Sequence, residues 1–144
     1  MSGFDKAAAI ALLENDVAPW VGGLNLEIVS LAADKVVVKM PFSEALCREG
    51  GTICGQSLMA LADTAMVFAV AAASGGNRPM TTVDTTVHFM KPASSDAVIC
   101  TVKMMRLGRT MAFGHAVMTG EREGKPIASA TLAYALLGPV NEDK

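Results

Sequence analysis

A chain of 144 residues, 51% hydrophobic and 18% charged, is long enough to bury a core and too apolar to stay disordered. Its formal net charge of −2 at pH 7 argues against the basic face of a general nucleic-acid-binding protein. Three cysteines, an odd number with no CxxC pair, argue against a disulfide framework and a structural zinc site. We therefore expect a reducing, cytoplasmic location and no bound metal.

The first predicted element is a short helix that begins near Ser2 and places four apolar side chains on one side, Phe4, Ala8, Leu12 and Leu13. Acidic residues close the apolar run over 7–13, which favours a helix over a signal peptide. Two strands follow, over 23–33 and 34–42, with a turn near Ala33-Asp34. The polar segment 43–51 ends in two glycines and is predicted to be a loop.

The most hydrophobic segment, 50–76, contains one charged residue, Asp63. Alanine, leucine and methionine dominate 57–73, which lacks proline and ends at Gly75-Gly76, so the pattern predicts a helix buried on most sides. A membrane span needs about 20 clean apolar residues. This run is shorter and has Asp63 near its centre, so we expect no membrane partner.

Four further strands are predicted after this helix, over 80–90, 96–107, 110–121 and 126–137. One helix wrapped by an antiparallel sheet is an α+β fold. No repeat or linker divides the chain, so we expect one domain over 1–144, with the N-terminal helix and lead-in at 1–22 and the core at 23–138. The surplus of apolar residues predicts a homo-oligomer, because large apolar patches usually mark interfaces.

An ionised Asp is rarely buried without a partner, so Asp63 has two interpretations. It is either a general base or nucleophile, or a structural acid satisfied by a hydroxyl or backbone N–H from elsewhere. Gly55 opens the helix, where unpaired N–H groups could stabilise an oxyanion. Cys54 precedes it and is a second candidate nucleophile, since a helix N-terminus can lower a thiol pKa, although buried free cysteines are common in cores.

The stretches "REGGTICGQSLMALAD" (48–63) and "TTVDTTVHFMKP" (81–92) give the chain its family likeness. From about Arg48 to Leu137 the chain resembles the hotdog-fold acyl-CoA thioesterases of the phenylacetate-degradation, PaaI-like type. The resemblance implies a six-stranded antiparallel sheet around a long central helix. It also implies hydrolysis of acyl-CoA thioesters to free acid and CoA, with no cofactor because CoA is part of the substrate. The partner it implies is a second copy, in a homodimer or dimer of dimers with the active site at the subunit interface.

The resemblance assigns roles to individual residues. Asp63 falls on the catalytic carboxylate, as base or nucleophile. The Gly55 N–H would polarise the thioester carbonyl, and Thr82 would orient the attacking water across the dimer interface from Asp63. Seven further residues are predicted to bind substrate, Arg48, Thr52, Cys54, Gln56, Met66, Arg106 and Arg109. Residue chemistry, apart from the resemblance, makes Arg106, Arg109 and Lys91 candidate contacts for CoA phosphates or solvated charges at strand ends, and makes Met66 a candidate for an adaptable acyl pocket or for the core.

Three positions depart from the family pattern. Arg48 replaces an Asn or Gln, Cys54 replaces a His, and Gln56 replaces a Gly. The missing His and Asn motivate an alternative, a hotdog module that binds acyl-CoA or another apolar ligand without hydrolysing it. Hydratase chemistry is a third possibility, but it normally pairs a His with the acid, and both histidines lie outside the matched site.

Overall fold

The structure, a computed structural model, describes residues 3–142. Helix α1 (Lys6–Asn15) begins after Asp5, whose carboxylate accepts a 2.9 Å hydrogen bond from the Ala8 N–H. This N-cap satisfies a backbone donor that the first helical turn leaves unpaired. The predicted start near Ser2 lies outside the described residues, and the described helix starts at Lys6.

The segment after α1 is helical and extends two residues into the predicted first strand. A 3₁₀ helix covers Pro19–Leu24, and Asn25 ends it in the left-handed conformation with φ 54°. The predicted strand over 23–33 therefore began too early, because the apolar residues at its start do not by themselves distinguish a strand from a 3₁₀ helix. The next two elements are the strands β1 (Glu27–Leu31) and β2 (Lys35–Met40).

The predicted central helix is α2 (Gly55–Ser74), and Gly75 ends it with φ 81°, a conformation that favours glycine. Four strands follow it: β3 (Met80–Phe89), β4 (Val98–Leu107), β5 (Met111–Gly120) and β6 (Pro126–Leu136). All six strands form one antiparallel sheet in the order β1-β2-β4-β5-β6-β3. The predicted α+β hotdog architecture is confirmed.

Helix α2 lies against the sheet and supplies the centre of the core. By length and composition alone it could cross a membrane, but about two-thirds of it is buried inside the fold. Leu61, Ala65 and Phe68 have no or almost no exposed surface. The sheet approaches the helix closely at Gly114, where an added Cβ would lie 2.5 Å from the Met66 sulfur. Glycine at this position therefore allows helix and strand to pack.

The pairing of β3 with β6 decides which side chains reach α2. Thr82 pairs with Tyr134, and the register then shifts at a bulge, so that Asp84 pairs with Ala133 and Thr85 with Leu132. A bulge changes the direction in which later side chains point. Here it leaves Asp84 exposed while Thr82 and Thr85 both lie on the side of the helix.

Strand β3 is one edge of the sheet, since only β6 pairs with it among the described strands. It is ten residues long, and Val83 and Phe89 on it are each more than half exposed. Long apolar edge strands carry unpaired backbone groups that readily pair with another strand. The edge at β3 is therefore a surface suited to a second chain.

Candidate active site

Asp63 lies near the middle of α2, one turn after Met59 and Ala60. Its side chain is partly exposed, although residues 61, 62, 64 and 65 around it are buried. It borders an open cleft of about 380 Å³. The lone acid of the apolar segment is therefore not sealed inside the core.

Two hydroxyl groups hold the Asp63 carboxylate. The Thr82 Oγ1 donates to Oδ1 at 2.8 Å, and the Tyr134 hydroxyl lies 2.5 Å from the same oxygen. The Tyr134 hydroxyl is also 2.8 Å from the backbone carbonyl of Asp63. Burial, reinforced by the hydrogen bond to Asp63, raises the pKa of Tyr134 far above its usual value, so this hydroxyl remains a donor.

The position of Thr82 corrects one expectation. The resemblance implied that Thr82 acts across a dimer interface from Asp63, but the two side chains are hydrogen-bonded within one chain. The physical reason is the sheet order: β3 is next to β6, and the residue paired with Thr82 is Tyr134, which also contacts Asp63. A single chain therefore brings the Asp63 carboxylate and the Thr82 hydroxyl together.

The cleft beside Asp63, which we call the acid cleft, has mostly apolar walls. Its lining residues are Trp20, Val21, Gln56, Met59, Ala60, Asp63, Thr64, Thr82 and Thr85. Trp20 is 64% exposed and Met59 43% exposed, so both present apolar surface to solvent. The Thr85 hydroxyl is buried and has no hydrogen-bond partner among the described residues. The cleft therefore combines a carboxylate with apolar walls, a combination suited to a ligand with an apolar portion.

A second cleft of about 380 Å³ lies at the N-terminus of α2, and we call it the helix-end cleft. Its lining residues are Arg48, Thr52, Ile53, Gly55, Leu58, Phe89, Met90, Lys91, Pro92 and Ala93. A Cβ on Gly55 would lie 3.2 Å from the Phe89 ring, so glycine leaves room for that ring against the helix end. Arg48 and Lys91 add positive charge beside the positive end of the helix dipole.

Gly55 and Asp63 do not meet within one chain. They are eight positions apart on α2, and a rise of about 1.5 Å per residue separates them by about 12 Å along the axis. Neither cleft includes the other residue in its lining. One chain therefore places the carboxylate and the helix-end N–H groups in two separate clefts.

Cys54 is the N-cap residue of α2, and its sulfur lies 3.0 Å from the Ser57 hydroxyl. Burial acts to raise the pKa of the Cys54 thiol, but hydrogen bonds from Ser57 and the backbone of Gln56 outweigh it and lower the pKa. Neither histidine hydrogen-bonds Cys54 in the described part of the chain. The geometry is that of a capping thiol without a general base beside it.

The remaining predicted residues are distributed over the molecule. Gln56 borders the acid cleft, and Arg48 and Thr52 border the helix-end cleft. Met66 is fully buried beside Gly114, so the structure places it in the core and away from both clefts. Arg106 and Arg109, at and just after the end of β4, are exposed and border neither cleft.

Sequence reasoning missed two residues around Asp63. Tyr134 is the only tyrosine of the chain and stands among small residues in "PIASATLAYALL". Trp20, the only tryptophan, comes from the lead-in. A single large polar aromatic in a strand of alanines is a usable signal, because a buried Tyr hydroxyl usually has a hydrogen-bond partner. The identity of that partner depends on the strand register.

Known proteins resemble this chain in fold and in part of the sequence. A model of the thioesterase superfamily matches residues 50–127, more than half of the chain. Acyl-coenzyme A thioesterase 13 of Mus musculus is 28% identical over 105 residues, 72% of this chain and 74% of that protein. Two solved structures superimpose closely. Zebra fish thioesterase superfamily member 2 has a TM-score of 0.78 and 26% identity, with 91% of this chain and 94% of that one covered.

The second structure is the Escherichia coli PaaI protein from the phenylacetic acid degradation operon. Its TM-score is 0.80 at 20% identity, with 93% of this chain and 94% of that one covered. The likeness to PaaI confirms the fold, and the family match confirms the resemblance found in the sequence. The chain belongs to the thioesterase superfamily and is a thioester hydrolase with the hotdog fold.

Proposed function

We propose that this protein hydrolyses acyl-CoA thioesters to a free acid and CoA. The observation that carries the proposal is Asp63, a carboxylate fixed by two hydroxyls at the side of an open, mostly apolar cleft. Acyl-coenzyme A thioesterase 13, a relative at 28% identity, supports CoA as the thiol portion. The apolar walls of the acid cleft, Trp20 and Met59 among them, suit the acyl portion.

Hydrolysis consumes one water molecule, and Asp63 could take part in two ways. As a general base it would take a proton from the water as the water oxygen bonds to the thioester carbon, the C–S bond would then break, and the proton would pass to the CoA thiolate. Alternatively the carboxylate would attack directly, displacing the thiolate and leaving an anhydride that water hydrolyses. Thr82, hydrogen-bonded to Asp63, stands where it would help orient that water.

The oxyanion would be stabilised by the helix-end cleft of a second copy. Strand β3 borders both clefts, through Thr82 and Thr85 near its start and Phe89 at its end. If two β3 edges pair antiparallel, the start of one strand lies beside the end of the other. The Asp63 of one chain is then next to the Gly55 of its partner. A homodimer, alone or in a dimer of dimers, would thus complete two equivalent sites.

Charge favours the helix-end cleft for the CoA portion of the substrate. Arg48 and Lys91 border this cleft, and no acidic residue does among those that the structure describes. Lys91 is also within 2.5 Å of Glu123, in an exposed ion pair that solvent screens. Arg48 is then the cation at this cleft without an ion pair in the described chain, and it is suited to a phosphate.

Three free thiols agree with our proposal of a cytoplasmic location.

The test is release of free thiol from a panel of acyl-CoAs, with the Asp63→Asn variant compared to wild type. The variant keeps the size of the side chain and removes the base, so we expect kcat to fall at least 100-fold. Asp34→Asn is the matched control, because Asp34 is an exposed turn residue that borders neither cleft. Equal rates for wild type and Asp63→Asn would remove Asp63 from the reaction.

A ligand-binding role without turnover is the second candidate. It is favoured by Arg48 and Cys54, which stand where the family pattern has an Asn or Gln and a His, and by the absence of a histidine from the described lining of either cleft. Calorimetric titration with a non-hydrolysable acyl-CoA analogue, beside the thiol assay, separates the two functions. Tight binding with no thiol released across the panel would favour the binding role.

A further inference from the structure

Tyr134 and Thr82 are cross-strand neighbours under the middle of α2. They are paired in the register of β6 with β3, and both hydroxyls reach the same oxygen of Asp63, at 2.5 and 2.8 Å. Directly paired residues of antiparallel strands point to the same face. The sheet therefore presents two hydroxyls side by side to one carboxylate oxygen.

Both hydroxyls donate to the same oxygen of the Asp63 carboxylate. Oδ1 accepts from both hydroxyls, whereas Oδ2 receives no hydrogen bond from any described residue. The single Tyr134 proton is shared between Oδ1 and the Asp63 carbonyl, which lies 2.8 Å from the hydroxyl. Contacts to both the backbone and the side chain of Asp63 restrain rotation of the carboxylate.

Tyr134 does not itself border the acid cleft. It is 1% exposed and is absent from the cleft lining, whereas Asp63 and Thr82 are part of it. A group with this burial can affect a substrate only through the residues that it contacts, of which Asp63 accepts its hydrogen bond. We infer that Tyr134 is a positioning residue for the hydrolysis, one that holds Oδ1 of Asp63 so that Oδ2 accepts the proton of the attacking water.

This inference rests on the proposed function, but the effect of Tyr134 on the Asp63 side chain can be tested without measuring hydrolysis. The Tyr134 hydroxyl contacts both the backbone carbonyl and one carboxylate oxygen of Asp63, whatever reaction the site performs. The groups that contact the carboxylate are the Tyr134 hydroxyl from β6 and the Thr82 hydroxyl from β3. The described lining of the acid cleft contains no other ionisable side chain.

The variant Tyr134→Phe tests the inference, since it removes the hydroxyl and keeps the ring in the core. We expect kcat to fall about tenfold with KM within about twofold, because the loss is in orientation and not in substrate contact. Full kcat in Tyr134→Phe would overturn the inference.

Two further variants separate positioning from a general loss of packing. Ser129→Ala removes another hydroxyl from β6, at a position that borders neither cleft, and should leave kcat and KM unchanged. Thr82→Val removes the other hydroxyl that contacts Oδ1, so it should lower kcat as Tyr134→Phe does, and Thr82→Ser, which retains a hydroxyl, should recover part of that loss. A fall in kcat for Ser129→Ala would assign the effect to the strand and contradict the inference.

A measurement without turnover keeps the two proposals distinguishable. The ³J coupling constants of Asp63 can be measured by NMR in wild type and in Tyr134→Phe to show whether its side chain keeps one χ1 rotamer, with melting curves to check folding. Couplings averaged over rotamers in the variant support the positioning role even if the wild type releases no thiol, in which case only the proposed function fails. Couplings identical to those of wild type would overturn the inference even in an active enzyme.

Discussion

Asp63 and Gly55 lie on the same helix in very different surroundings. Asp63 is fixed within one chain by hydroxyls from β3 and β6, while Gly55 opens into a cleft with Arg48 and no carboxylate in its described lining. About 12 Å of helix separates them. One chain therefore holds the proposed base and the proposed oxyanion-stabilising helix end in two separate clefts.

The largest expected effect comes from dividing these two regions between subunits. Asp63→Asn and Gly55→Val should each be at least 100-fold less active as homodimers, because the first removes the base and the second obstructs the helix end near Phe89. Heterodimers of the two, co-expressed with different tags, contain one intact site and should recover about half of wild-type activity. Thiol release by doubly purified protein measures this.

The control for this experiment is a heterodimer of wild type with Asp63→Asn, which also has one intact site. Recovery in that control but none in the mixed variants would mean that Asp63 and Gly55 act from the same chain. Size-exclusion chromatography with light scattering would then show whether the two copies associate at all. A monomer with full activity would refute the shared site.

A smaller effect is expected at Cys54, which caps α2 between the two clefts. Because neither histidine contacts its sulfur, Cys54→Ala should change kcat/KM by less than about threefold. The lowered pKa of the Cys54 thiol should make it react with iodoacetamide faster than Cys100, whose pKa is raised to about 12 by burial. Mass spectrometry of the labelled protein gives both rates. A 100-fold loss of activity in Cys54→Ala would identify it as the nucleophile.

The smallest effect is expected far from both clefts. Asp5→Ala removes the N-cap of α1 and should cost about 1 kcal/mol of stability. For a chain of this size that is a fall of about 2–4 °C in Tm, measured by circular dichroism. Thiol release should be unchanged. A loss of activity without a change in Tm would place α1 in the site.

Much of the fold could be predicted because its signals are local. The apolar run with its glycine end predicted α2 over 57–73, and the structure extends it to Gly55–Ser74. Alternation and turn residues predicted each end of β3 to β6 to within two residues. The predicted start of the first strand at residue 23 was wrong, because the 3₁₀ helix and the left-handed Asn25 that follows it have no periodic apolar pattern.

The site was harder to predict, because its contacts join residues far apart in sequence. Asp63 was conspicuous as the one charge of an apolar helix, but Tyr134, 71 positions later, could not be connected to it without the register of β6. The bulge after Thr82 is also invisible in sequence. The family resemblance singled out Thr82, and the structure shows that its hydroxyl donates a hydrogen bond to Asp63.

The apolar helix α2 also has a consequence for synthesis on the ribosome. Four of the six strands of the sheet that covers it, β3 to β6, are made after it, and the last of them ends at Leu136. Until they emerge, a twenty-residue helix with one charge lacks most of its covering sheet. Such surface promotes aggregation, so the nascent chain should depend on chaperone binding until Leu136 has left the ribosome.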